Sequence, residues 1–137
     1  MRATHSGEFA MKLVAGLILT LLALPAIAKP VYLTCSTTFK GDPPRDFLVT
    51  IDEETGKVTH QFANGTTFNA DGLFTATEVS YKKVNCGSTC MTQQFTINRV
   101  DLSVTSSLII SARNVGEAPP MTSTGTCTLQ AAPARQF

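Results

Sequence analysis

Residues 75–112 read TATEVSYKKVNCGSTCMTQQFTINRVDLSVTSSLIISA, and the fold turns on this stretch. Thr77, Val79 and Tyr81 alternate with Glu78, Ser80 and Lys82, and further on Phe95 and Ile97 alternate with Gln94, Thr96 and Asn98. A period of two is the mark of a strand with one face buried. Cys86 and Cys90 stand between the two runs with Gly87 next to the first of them, so the stretch predicts a hairpin with a cross-linked tip. Its second arm is expected to run through residues 98–101 into residues 102–112, where Leu102, Val104, Leu108, Ile110 and Ala112 hold one parity. Ser106 breaks that apolar row, as a bulge or bend near Ser106-Ser107 or an exposed end of the sheet would.

Towards the N-terminus, residues 31–36 read as a strand, and Gly41-Asp42-Pro43-Pro44 makes residues 37–45 a loop that no ladder can continue through. Residues 46–52 place Phe47, Val49 and Ile51 on one face, and Glu53-Glu54-Thr55-Gly56 turns the chain into residues 57–62. Asn64-Gly65 is a strong hairpin signal leading to the short run 66–68, after which residues 69–72 read as another turn. Towards the C-terminus, Gly116 and Pro119-Pro120 mark residues 114–120 as a loop, residues 122–130 form the last strand, and the chain from about 131 frays. The expectation is an all-β domain: a small antiparallel β-sandwich or barrel of about 7–8 strands, stapled by disulfides.

Residues 1–28 are expected to lie outside that fold. Met11-Lys12 opens the apolar run 13–24, which ends in Pro25-Ala26-Ile27-Ala28, so residues 11–28 read as a signal peptide cut after Ala28. The run is shorter than the about 20 residues of a membrane-spanning helix. Residues 1–10 are an N-terminal extension, and either Met1 or Met11 serves as the start. A lipoprotein site fails, because Cys35 follows Tyr32-Leu33-Thr34 with no small residue before it. Residues 29–137 then form a single domain, exported to a periplasmic or extracellular location. Its nine Lys and Arg balance nine Asp and Glu, and with Lys82-Lys83 as the sole doubled cation nucleic-acid binding is not expected.

The four cysteines, Cys35, Cys86, Cys90 and Cys127, behind an export signal favour two disulfides. Of three connectivities, Cys86 to Cys90 with Cys35 to Cys127 is favoured, because the short loop can close and the long one joins the first and last strands. In the chain-entropy picture the long bridge contributes roughly 4.5 kcal/mol and the short one about 2 kcal/mol. Zinc would want a C-x-x-C knuckle, and the gaps of 50, 3 and 36 residues supply none.

Candidate chemistry is sparse. His60 is the one histidine after residue 28, in a strand-like run with no nucleophile elbow nearby, and reads as a surface or half-buried strand residue. Asp52-Glu53-Glu54 is the densest carboxylate group, but a solvated hairpin tip does not separate pKa values as acid–base catalysis needs. Asn69, Asp71, Gly72, Phe74 and Glu78 match positions of an EF-hand loop, yet Thr67 stands where an aspartate is required and the flanks read as strand. Asn64-Gly65-Thr66 fits the glycosylation acceptor pattern, although the turn already explains it. Phe39, Phe47, Phe62, Phe68, Phe74 and Phe95 would fill the core, or line a cavity if the sheet closes.

No catalytic set, metal or cofactor is expected. The leading expectation is a non-catalytic exported β domain that binds a protein or cell-envelope partner, such as an inhibitor or immunity protein. Lys82, Lys83, Ser88, Thr89 and Met91 around the stapled tip would form the contact. The alternative is a small-ligand carrier of the closed β-barrel type.

Overall fold

A computed structural model describes residues 28–113 and 115–133. The expected N-terminal extension (1–10), all but the last residue of the expected signal segment (11–28) and residues 134–137 of the expected frayed tail lie outside the described residues. Ten antiparallel elements form one sheet: β1 (Val31–Thr38), β2 (Arg45–Asp52), β3 (Lys57–Phe62), β4 (Thr67–Asp71), β5 (Leu73–Phe74), β6 (Glu78–Cys86), β7 (Thr89–Asn98), β8 (Ser103–Ala112), β9 (Gly116–Glu117) and β10 (Met121–Gln130). Their order is β4-β3-β2-β1-β10-β8-β7-β6-β5, with β9 beside β8. No helix among the described residues is long and apolar enough to cross a membrane.

The two edges of this sheet belong to one stretch of chain. Residues 67–71 pair with β3 and residues 73–74 pair with β6, so the chain crosses from one edge to the other at Gly72 and the sheet nearly closes into a barrel. Closure removes the open edges that a sandwich would leave. Gly72 is required at the crossing: its N–H donates to the Gly56 carbonyl at 2.9 Å, and a Cβ would stand 2.4 Å from the Phe74 ring and 3.0 Å from Val58 Cγ2. The turn expected at residues 69–72 is therefore mostly strand.

Two other boundaries differ from the sequence pattern. The arm after Cys90 does not run on through residues 98–101 but reverses there. Asn98 Oδ1 accepts from the N–H groups of Val100 and Asp101, the Asp101 carboxylate accepts from Ser103, and Leu102 takes a φ of 58°. These are local side-chain turns, and they outcompete the extended backbone that the apolar parity suggested. At the other boundary, residues 114–120 are more than a loop, since β9 pairs with the end of β8. The register against β8 then slips by one residue before β10 resumes it, across Pro119-Pro120, whose missing N–H groups cannot hold a ladder. The strand number exceeds the expected 7–8 because β5 and β9 are short pairings in stretches that the sequence pattern left outside any strand.

One disulfide joins Cys35 to Cys127, directly opposite each other on β1 and β10, and the other joins Cys86 to Cys90 across the β6–β7 tip. Beside the first, β1 and β10 approach so closely that a Cβ on Gly125 would lie 1.8 Å from the Ser36 carbonyl oxygen. Thr, Ser, Gln and Lys dominate the outward face, with cross-strand pairs Ser80–Thr96, Ser107–Thr122 and Thr59–Asn69. The inward face holds the core, which is the reverse of a lipid-embedded barrel.

Candidate functional site

The inward side chains change character along each strand. Near the end carrying the β2–β3 and β7–β8 turns, hereafter the lower end, the interior is aliphatic: Leu33, Val49, Ile51, Val58, Val79, Ile97 and Val104 are all buried. Moving up each strand, Val58 gives way to His60, Val79 to Tyr81, Ile97 to Phe95, Val49 to Phe47 and Val104 to Ser106. The buried polar side chains of the described residues, Thr37, His60 and Ser106, all stand in this upper half.

They converge on a cavity of about 320 Å³ that opens between the β1–β2 loop and the start of β10. Thr37, Phe47, His60, Phe95 and Ser106 are its buried wall, while Phe39, Leu108 and Met121 frame the more open part with Asp42, Arg45 and Asp46. Gln93 donates to Ser106 Oγ at 3.4 Å. Ser106 thus neither bulges nor marks an exposed end: its register with β7 and β10 is continuous, and its hydroxyl sits in the cavity wall. A second hollow of about 490 Å³ lies on the outer face of β1 to β3, beside Tyr32, Leu48 and Thr59.

His60 is the centre of the upper interior and is fully buried, not a surface residue. Its ring stacks between Phe47 and Phe68, with centroids at 4.6 and 4.9 Å, and meets the tilted rings of Phe62 and Phe95 at 4.4 and 4.5 Å. Nδ1 lies 3.0 Å from the Tyr81 hydroxyl, and Nε2 has no hydrogen-bond partner among the described residues. Burial first, and the Lys83 charge second, push the His60 pKa down to about 4, so the ring is neutral near pH 7. Burial raises the Tyr81 pKa far above its ordinary value, so the phenol keeps its proton.

The other sequence candidates are scattered. Lys82 and Lys83, adjacent in the chain, face opposite sides of the sheet: Lys82 is exposed, whereas the Lys83 ammonium lies over the Phe62 and Phe68 rings at 5.1 and 5.4 Å. Ser88 is exposed at the tip, Thr89 half-buried, and Met91 shares the inward parity of Phe95 but is exposed above it. Asp52, Glu53 and Glu54 sit at the lower end, where Asp52 Oδ1 accepts the Thr55 N–H and Glu53 pairs with Arg99. They cannot act together with His60. Asp71 pairs with Lys57 and Asn69 accepts from Thr59, so these EF-hand matches are strand residues engaged across the ladder. Asn64 is exposed and its Oδ1 caps the turn through the Thr66 N–H. Phe47, Phe62, Phe68 and Phe95 form the aromatic ring, Phe39 the rim and Phe74 the seam at Gly72.

Sequence reasoning missed Thr37, Gln93, Ser106 and Ser123 as cavity groups. The signal was present in Thr37 and Ser106, polar residues on an otherwise apolar parity. Among the described residues no three His, Cys, Asp or Glu side chains gather as metal ligands would. The cavity offers shape, aromatic surface and a few hydrogen-bonding groups, a combination suited to holding a small molecule. Comparison with family models, with curated protein sequences and with solved structures finds no match to this chain.

Proposed function

We propose that this is an exported, non-catalytic binding barrel that holds a small, largely apolar molecule in its upper cavity. The observation that carries the reading is the cavity of about 320 Å³ with the three buried polar side chains grouped on its wall. Ligand pockets begin at about 300 Å³ and combine apolar walls with a few placed polar groups. Export is supported by the signal-like residues 11–28, and two disulfides are compatible with an oxidising compartment.

The test uses protein recovered after export, titrated with the neutral fluorophore N-phenyl-naphthylamine. Saturable binding at one site is expected, with loss of it in Leu108→Trp, which fills the cavity. Unchanged binding in that variant would place the probe elsewhere and count against the reading.

The stapled tip favours a second reading, a protein or cell-envelope partner of the inhibitor or immunity kind. Val84 and Met91 are 53% and 43% exposed beside the Cys86–Cys90 bridge, and a cross-link reduces the ordering that binding requires. Ser88→Arg with Lys82→Glu should then abolish capture of that partner, and retained capture would end this reading.

A further inference from the structure

We infer that the cavity ligand is an uncharged, hydroxylated aromatic molecule of two fused rings, bound with its hydroxyl edge against Thr37, Ser123 and Ser106. The inference rests on the small-ligand reading above and deepens it to a ligand class.

The register sets these three hydroxyls side by side. Burial alternates so that Leu33, Cys35 and Thr37 point inward from β1, and Cys127, Gly125 and Ser123 from β10. Thr37 stands opposite Gly125, which contributes no side chain between Thr37 and Ser123. Ser123 stands opposite Ser106 on β8, and Ser106 in turn opposite Phe95 on β7. Three consecutive strands, β1, β10 and β8, therefore give the cavity a polar strip. Phe47 and Phe62 from β2 and β3, and Phe95 from β7, give it aromatic surface on either side.

The strip has hydrogen-bonding capacity left over. The fully enclosed side-chain atoms that lack a partner among the described residues are Thr34 Oγ1 and His60 Nε2. Thr37 is 5% exposed and its hydroxyl has no partner among the described residues either, yet its oxygen is not sealed, so the surface it keeps belongs to the cavity. Ser123 is half-buried in the same lining and also unpaired among the described residues. Ser106 Oγ accepts from Gln93 and keeps its own proton. Covering such groups with a purely apolar molecule would leave them unsatisfied, which is unfavourable.

Chemistry and size narrow the class. Each hydroxyl both donates and accepts, and a ligand hydroxyl answers both capacities. The charged groups of the lining, Asp42, Arg45 and Asp46, are exposed at the rim, and His60 is neutral near pH 7, so the inserted edge meets no charge. Aromatic walls suit a ring, and since a dry cavity of about 150 Å³ holds benzene, about 320 Å³ suits two fused rings.

The test compares naphthol with methylnaphthalene, a hydroxyl against a methyl of similar size, on the exported protein by ligand-observed NMR. Transfer from water alone favours methylnaphthalene, so a wholly apolar cavity binds it more tightly. The strip should reverse that order and give naphthol a roughly tenfold advantage. Ser106→Ala with Ser123→Ala should restore the apolar order. Should that variant fail to fold, Ser123→Ala alone should bring the two affinities close together. Ser80→Ala, which removes a hydroxyl from the outer face, should leave the native ratio unchanged. No native preference for naphthol, a preference that survives the Ser123 change, or one that Ser80→Ala also removes would overturn the strip and leave the small-ligand reading intact. Binding of N-phenyl-naphthylamine without either naphthalene would do the same, whereas failure of all three to bind would overturn both readings.

Discussion

The lower and upper halves of the barrel are threaded by the same strands but solve packing differently. Below, Val49, Ile51, Val58, Val79, Ile97 and Val104 interlock without polar atoms, and the rim is tied by ion pairs: Arg99 to Glu53, and Lys57 to Asp71 at 2.5 Å. Above, flat rings stack around a polar centre and leave space. Branched aliphatic side chains fill the lower interior, whereas the stacked rings above stand beside a cavity of about 320 Å³. The contrast is a division of labour: the lower half supplies stability, and the upper half gives some of it up for a site.

The strongest way to break the comparison is at the bridge that serves both halves. Replacing Cys35 and Cys127 by alanine should cost about 2–5 kcal/mol by urea unfolding, since it frees a loop spanning nearly the whole domain. Replacing Cys86 and Cys90 should cost about 2 kcal/mol or less, because that bridge closes only the upper tip. Equal losses would mean that the tip bridge constrains the unfolded chain as much as the bridge joining β1 to β10.

Next come paired truncations. Ile97→Ala, in the packed lower half, should lose about 3 kcal/mol, as buried aliphatic truncations do. Leu108→Ala, on the cavity, should lose roughly 1 kcal/mol, because its side chain already borders open space. If the two losses were alike, the cavity would not exist as a permanent feature in solution.

The third test uses pH. The folded His60 pKa, about 4, lies below the unfolded value of 6.5. Between those values the unfolded chain binds more protons, so stability is full above pH 6.5 and falls as the pH drops towards 4. The decline should total roughly 3 kcal/mol at most, since each tenfold change in proton affinity is worth about 1.4 kcal/mol. His60→Phe should flatten this part of the pH profile while leaving the carboxylate-dependent part below it. A native profile without the decline would show that the upper interior is wet enough to solvate a charged imidazole.

Much of the strand pattern was legible in the sequence, in both halves. Val79/Tyr81, Phe95/Ile97 and Phe47/Val49/Ile51 show their inward parity directly, and Asn64-Gly65 and Gly56 mark their turns through local chemistry. The Cys35–Cys127 seam followed from the positions of those residues in the chain. The cavity was not legible, because it depends on which residues of separate strands reach the same height. Thr37, Phe47, His60, Phe95 and Ser106 come from five strands, and their levels are fixed by stagger that no local pattern encodes. Closure at Gly72 was hidden for a related reason: Asn69, Ala70, Asp71 and Gly72 suit a turn by composition, and only the simultaneous presence of β3 and β6 makes them a crossing strand.

The smallest effect concerns the two rims. Glu53 and Arg99 join the β2–β3 turn to the β7–β8 turn, and Arg99 Nη1 also donates to the Thr75 carbonyl at 2.8 Å, so one guanidinium gathers three lower segments. The Arg99 and Glu53 side chains are 35% and 36% exposed, which partly shields the pair from solvent. At the upper rim Asp42, in the β1–β2 loop, and Arg45, at the start of β2, lie 3.4 Å from each other and more exposed, and tie nothing distant together. Glu53→Gln should therefore cost about 0.5–1 kcal/mol and Asp42→Asn only a few tenths, near the floor for solvated pairs. Raising the salt concentration should narrow the gap, since both pairs are within reach of screening ions. Should Asp42→Asn prove the costlier, the upper loop would be a clamped element rather than the loose border of an open cavity. The order of the two losses thus tests which end of the barrel is closed.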